Sequence, residues 1–291
     1  MPRINRAIEL LEQGQPIFYG GGFPLTYEGG REASGTFLDY LLFDFEHAPF
    51  DVAGLRAFMQ GLVDAGPTRS GHRTPAVVVT LPMDGISAEC IRHNAWQIKH
   101  LLAAGVHGLL LCNAETPEAV RAFVSACRYA FAPGHPALDD GRRSNGGQGY
   151  AAQIWGLSPT DYLMKADPWP LNPNGELMLG LKIENKRALV NCERSLAVPG
   201  IAFAEWGPGD MGFSLGWPKP GYEHDPPYGP EMQAAMNRVA AACKANGVAF
   251  LSSMHADDWR ELYEMGVRVS GARDAALVEQ IRKHAGRTMP V

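Results

Sequence analysis

The chain has 291 residues, 46% of them hydrophobic and 20% charged, which supplies one large core and excludes a globally disordered protein. Its net charge is −5 and no cluster of basic residues interrupts it, which argues against nucleic acid or an anionic membrane surface as its main partner. The length suits one α/β barrel with insertions.

In chain order, Arg6 to Gln13 has helical spacing and stops at Gly14, and Pro16 to Gly20 reads as a first buried strand ending in Gly20-Gly21-Gly22. The glycines read as a tight turn rather than a phosphate cradle, because no Lys-Ser/Thr follows and the GxGxxG spacing is absent. A short helix over Glu28 to Ser34 leads to strand two, Tyr40 to Phe45. Val52 to Ala65 is amphipathic and leads to strand three, Ala76 to Thr80. Strand four is Gly108 to Cys112, and Pro117 to Ala130 is a helix with proline in its first turn.

The alternation breaks from Phe131 to about Leu171, where Pro, Gly, Asp, Arg and Trp mix. A segment this long is more often functional than filler, and the expectation is a lid or substrate wall. Strands five to eight follow as Leu177 to Glu184, Ile201 to Glu205, Val248 to Ser252 and Val267 to Ser270. Helices are expected at Asn185 to Glu193, Pro230 to Asn246, Ala256 to Met265 and Asp274 to His284. Solidly apolar strands alternating with helices are the pattern of a parallel sheet covered by helices, here a single (β/α)₈ TIM barrel making one domain over residues 1–291.

Cys90, Cys112, Cys127, Cys192 and Cys243 are odd in number and widely spaced, with no CxxC or zinc pattern, which reads as reduced core thiols of a cytoplasmic protein. The N-terminus continues into an amphipathic segment rather than an apolar one, so no signal peptide is expected, and no apolar run is long enough to span a bilayer.

Chemistry concentrates at three strand ends. Glu184 and the Gly207-Pro208-Gly209-Asp210 turn each close an apolar run, and Asp44-Phe45-Glu46-His47 closes another. In a barrel such ends converge on one face, and two carboxylates with open positions suit a hard divalent cation such as Mg²⁺ or Mn²⁺. The plainer alternatives are that Glu184 caps a helix and that Asp210 closes a turn.

The segments Leu41 to Pro49, Gln97 to Gly105, Ile183 to Leu189 and Leu196 through Asp210 together resemble the HpcH/HpaI aldolases, the metal-dependent pyruvate aldolases related to the citrate lyase β-subunit. The resemblance runs in order over nearly the whole chain. It implies a divalent-metal-dependent carbon-carbon lyase (Mg²⁺, Mn²⁺ or Co²⁺) that splits a 4-hydroxy-2-oxo acid into a pyruvate-type 2-oxo acid and an aldehyde. By the same resemblance Glu184 and Asp210 are the metal ligands, His47 is the base, Asp44 orients it, and the backbone of the Gly207-Pro208-Gly209-Asp210 turn marks where the substrate carboxylate is held. Trimers or hexamers with exchanged C-terminal helices are also implied.

Two departures stand out. The arginine expected after strand three has no counterpart, since that strand ends Val79-Thr80-Leu81-Pro82 and Met83 to His93 reads as an insertion. The glutamine expected two residues before the metal-binding glutamate is Lys182. An inward Lys182 is one replacement cation, and Arg92, Arg142 and Arg143 are others; a plain salt bridge to a nearby acid is the alternative for Lys182. Trp155, Trp169, Trp206 and Trp217, with Tyr150 and Tyr222, are placed on or beside loops of the same face, either lining a pocket for a bulky aldehyde or merely packing. The rival functions are a condensing, Claisen-type enzyme on the same metal site and a barrel that binds without catalysis.

Overall fold

The computed structural model describes residues 3–291. The elements in order are α1 (Arg6–Glu12), β1 (Ile17–Gly20), α2 (Tyr27–Ala33), β2 (Tyr40–Asp44), α3 (Val52–Asp64), β3 (Ala76–Asp84), α4 (Ala88–Ala103), β4 (Gly108–Cys112), α5 (Pro117–Cys127), α6 (Gln148–Trp155), α7 (Pro159–Lys165), β5 (Pro168–Trp169), β6 (Leu177–Lys182), α8 (Lys186–Leu196), β7 (Phe203–Glu205), α9 (Pro208–Leu215), α10 (Pro230–Asn246), β8 (Ala249–Leu251), α11 (Trp259–Met265), β9 (Val267–Gly271) and α12 (Ala275–His284). The strands are parallel in the order β4-β3-β2-β1-β9-β8-β7-β6, and β6 pairs back with β4, which closes an eight-stranded barrel. The two-residue β5 pairs only with the start of β6.

Both strand faces are buried because each strand separates two cores. Facing the helices, Leu41, Phe43, Val77, Val79, Leu109, Leu111, Leu179 and Leu181 join the outer core, while Tyr40, Val78, Leu110, Met178, Phe203 and Leu251 fill the lumen. Helix α1 closes the N-terminal end of the barrel by adding Ala7, Ile8 and Leu10 to the lumen cluster. Each such buried aliphatic side chain contributes roughly 1.5–3 kcal/mol. Gly180 is required by this packing, since a Cβ there would lie 2.3 Å from the Phe203 ring.

The expected eight-strand alternation is present, and three segments show local detail. Residues Met83 to His93, expected as an insertion relative to the family, fall in regular elements: β3 continues to Asp84, and Ser87 caps α4 by accepting from Cys90 N at 3.1 Å. The segment from Phe131 to Leu171 connects the end of α5 to the start of β6; its α6, α7 and β5 lie toward the N-terminal end of the barrel, while Asp139 pairs with Arg92 on the outside of α4. Trp155 donates to Gly105 O at 2.8 Å and stacks on His107, and Trp169 donates to Glu12 of α1 at 3.1 Å. None of the segment lines the cavity at the C-terminal end of the barrel. Helix α12 docks on its own barrel, where Arg282 reaches the fully buried Asp39 at 3.1 Å.

Candidate active site

The C-terminal end of the barrel gathers most of the expected residues. On β2, Tyr40, Leu42 and Asp44 share the lumen face, and the chain then turns around the Asp44 carboxylate, which accepts from Glu46 N at 2.9 Å and His47 N at 3.3 Å. Those bonds bring the imidazole back, and His47 Nδ1 lies 2.9 Å from Asp44 Oδ2. The bond to Asp44 raises the His47 pKa above the ordinary histidine value. With Asp44 ionised, Nδ1 carries the proton and Nε2 is left free as an acceptor.

Lys182 and Glu184 follow the period of two on β6 and both face the lumen. Lys182 Nζ stands 2.6 Å from Glu46 Oε2 and 3.3 Å from Glu184 Oε2, so the inward placement and the salt bridge both hold. Burial works against its charge, but Glu184, Glu205 and Glu46 outweigh it and keep the ammonium protonated far above neutral pH. A protonated lysine is a fixed cation and no Schiff-base nucleophile.

Glu184 is buried. Its Oε1 accepts from Asn113 N at 2.8 Å, while Oε2 has no hydrogen-bond partner among the described residues. Burial pushes its pKa up to about 7, with Lys182 and the Asn113 amide pulling the other way. Asn113 is held in a left-handed conformation, φ 45°, with its side chain bonded to Asp84 at 2.9 Å and Asn185 at 2.7 Å. Gly207 packs on the other side: its φ is +51° and a Cβ would fall 2.4 Å from Glu184 Cβ, so both conformation and space demand glycine.

Gly207 precedes α9 without a side-chain cap, and the first turn of that helix, Pro208-Gly209-Asp210, lines a cavity of about 300 Å³ together with Lys182 and Glu184. Helix N-terminal amides favour an anion there. A buried carboxylate whose Oε2 accepts no hydrogen bond among the described residues, with a second carboxylate on the same cavity, fits a hard divalent cation, though the Lys182 ammonium 3.3 Å away shares that oxygen. The ligand atoms that lie within 4.8 Å of one another around Glu184 are those of Glu46, Cys112 and Glu184; Asp210 is outside that cluster among the described residues. Cys112 keeps its proton, because burial raises its pKa far beyond the usual range.

Not every expected residue is here. Arg143 is buried at the other end of the barrel, donating to Ala166 O at 3.1 Å, Tyr129 Oη at 2.8 Å and Tyr162 Oη at 3.2 Å, and it braces the segment between α5 and β6. Arg92 pairs with Glu89 and Asp139 on the outer surface, and Arg142 shares that surface between α4 and α5. Of the aromatic residues, Trp206 lines the cavity, Trp155, Trp169 and Tyr150 lie elsewhere, Trp217 packs on His224, and Tyr222 packs against Gly216. His47 is exposed and lies outside the cavity lining; Glu46, bonded to Lys182, connects the two.

Sequence reasoning missed Glu205, Tyr19 and Arg273 on the same cavity. Glu205 is two residues after Phe203 on β7, so period-two alternation from a lumen residue was its signal. Burial holds its carboxyl above the usual range despite Lys182, with Glu46 and Asp210 adding to the rise.

A family model described as HpcH/HpaI aldolase/citrate lyase matches residues 31–271. The chain is 31% identical over 215 residues to a hydroxypyruvate/pyruvate aldolase of Deinococcus radiodurans, covering 74% of this chain and 65% of that one. It is 33% identical over 213 residues to a 2-keto-3-deoxy-L-rhamnonate aldolase of Salmonella schwarzengrund, covering 72% and 65%. The matches thus span a little under two thirds of those relatives. A solved HpcH/HpaI aldolase/citrate lyase family protein of Burkholderia cenocepacia superposes with a TM-score of 0.69 at 25% identity, covering 97% of this chain and 98% of that one. With a closed parallel barrel and a family match over most of its length, the chain belongs to the HpcH/HpaI aldolase/citrate lyase family.

Proposed function

We propose that the chain, read as one barrel domain, is a divalent-metal-dependent aldolase that cleaves a 4-hydroxy-2-oxo acid to a pyruvate-type 2-oxo acid and an aldehyde. The observation that carries this reading is the Asp44–His47 pair, 2.9 Å apart, at the same barrel end as the buried Glu184 carboxylate, whose Oε2 accepts no hydrogen bond among the described residues and lies beside the Lys182 ammonium. The relatives named as aldolases support it.

Glu184 and Asp210 would hold the cation, which supplies Lewis-acid stabilisation of the enolate when bound. The uncapped first turn of α9 binds the donor carboxylate through the amides of Gly209 and Asp210, with Gly207 and Pro208 shaping the turn. His47 Nε2 takes the proton of the 4-hydroxyl as the carbon-carbon bond breaks, and Asp44 stabilises the imidazolium that forms. Lys182, fixed by Glu46, adds positive charge beside the carbon skeleton that becomes electron-rich. In the reverse direction His47 returns the proton to the new alkoxide.

The test is cleavage of 4-hydroxy-2-oxo acids before and after chelation. Activity is lost with EDTA and returns with Mg²⁺, Mn²⁺ or Co²⁺; full turnover by thoroughly stripped protein would sink the reading. Two further parts of the proposal concern setting. Five free thiols support a reducing, cytoplasmic location, and no helix among the described residues is long and apolar enough to cross a membrane. Family membership supports a homo-oligomer, trimer or hexamer, which light scattering reads directly.

A further inference from the structure

The cavity has a second cation that the steps above do not use. Arg273 follows β9 on the same barrel end as Glu184 and lines the cavity with Tyr19, Tyr228 and His255. Its guanidinium makes no hydrogen bond or ion pair among the described residues, although the cavity is rich in acids. The neighbouring carboxylates are engaged elsewhere: Asp274 caps α12 by accepting from Ala276 N at 2.8 Å, Asp258 accepts from His255 N at 2.7 Å, and Asp225 faces His224 at 3.6 Å. The backbone beneath Arg273 is firm, since Ala272 N donates to Tyr19 O at 2.7 Å and ties the end of β9 to β1.

Position adds direction. β9 is separated from β6 by β7 and β8, so Arg273 stands across the mouth from Glu184. A substrate whose oxo-acid end is held at Glu184 and the first turn of α9 points its other end toward the far wall. A guanidinium without a protein partner presents a planar fork that matches a carboxylate or phosphate. Tyr19 and Tyr228 add hydroxyls beside it.

We propose that Arg273 is a specificity-determining residue for the aldehyde half of the substrate, and that this half carries an anionic group, a carboxylate or a phosphate. The inference rests on the aldolase reading for the placement of the donor acid and extends it to the acceptor.

The test compares wild type, Arg273→Gln and Arg273→Lys in aldol addition of pyruvate to butanal, glyceraldehyde, succinic semialdehyde and glyceraldehyde 3-phosphate. The wild type prefers a charged acceptor over its neutral counterpart, and the better of the two charged arms tells carboxylate from phosphate. Arg273→Gln lowers that charged-to-neutral ratio in kcat/KM by about 10- to 100-fold, through KM, and Arg273→Lys restores part of it. A wild type that prefers neutral acceptors, or a ratio unmoved by Arg273→Gln, overturns the proposal. Deuterium exchange of the pyruvate methyl group in the wild type reports on the aldolase reading separately. If exchange is absent, calorimetric titration with succinate and with inorganic phosphate decides: binding lost in Arg273→Gln supports the anion subsite, and equal or no binding in both proteins overturns it.

Discussion

Lys182 Nζ lies 2.6 Å from Glu46 Oε2, a contact that reaches across the barrel mouth from β6 to the turn after β2, over the ends of β3 and β4. It joins the two halves of the site, because Glu46 is the neighbour of His47 and Lys182 lies 3.3 Å from Glu184. Both side chains are largely shielded from water, at 13% and 17% exposure, so the pair is held more firmly than a surface salt bridge.

Replacing Lys182 therefore tests both charge and position. Lys182→Met lowers deuterium exchange into pyruvate and cleavage of a 4-hydroxy-2-oxo acid alike, by about 10²-fold, the usual worth of a preorganised charge in a site that excludes water. Arg92→Ala, Arg142→Ala and Arg143→Ala serve as comparisons, none of them lining this cavity. A Lys182→Met enzyme that exchanges and cleaves like the wild type removes Lys182 from the mechanism.

The proposed metal ligands can be probed by binding alone. Glu184→Gln and Asp210→Asn each exchange a charged oxygen donor for a neutral amide, which a hard cation accepts poorly. Both variants lose Mn²⁺ binding in calorimetry while keeping the wild-type circular dichroism spectrum. Undiminished Mn²⁺ affinity in either variant would strike that residue from the ligand set.

His47 gives a pH signature with a definite sign. The proposed base acts as the neutral imidazole, and Asp44 raises its pKa, so kcat/KM is expected to climb with pH through a value above the ordinary histidine pKa of about 6.5. Asp44→Asn removes the raising interaction and moves that limb to lower pH. His47→Ala lowers the plateau by ~10²–10⁴-fold with little change in Mn²⁺ affinity. An acid limb that stays in place in Asp44→Asn assigns it to another group.

How far the sequence could be read depended on whether the signal was local. The apolar strands were legible, because their pattern acts over a few residues, whereas the Asp44–His47 contact depends on how the chain turns after β2 and was legible only through the family resemblance. Arg143 was misplaced because its chemistry was read without its topology. A segment that follows a helix and precedes a strand lies at the N-terminal end of a parallel barrel, however rich it is in Trp and Arg. The same rule points to Arg273, which follows a strand. The Lys182–Glu46 contact was beyond any local pattern, since it pairs residues 136 positions apart across the barrel mouth.

The stability prediction concerns Asp39, at the opposite end of the chain's charge network. It is fully buried, accepts from Phe18 N at 2.9 Å, and faces Arg282 at 3.1 Å and Arg287 at 2.9 Å, which fastens α12 and the residues after it to the start of the barrel. Burial alone raises a carboxyl pKa, but here Arg287, Arg282 and Arg6 together hold it below the usual value. Asp39→Asn leaves two buried guanidinium groups short of their counter-charge and lowers the stability of the folded state by about 3–5 kcal/mol. The sign with pH follows from the depressed pKa: the carboxylate contributes fully above its unfolded value of about 3.9, and the contribution disappears as pH falls through the lower folded value. Urea midpoints of wild type and Asp39→Asn therefore lie far apart at neutral pH and converge in acid. A gap that stays constant down to the acid limb would mean that shape rather than charge makes Asp39 indispensable.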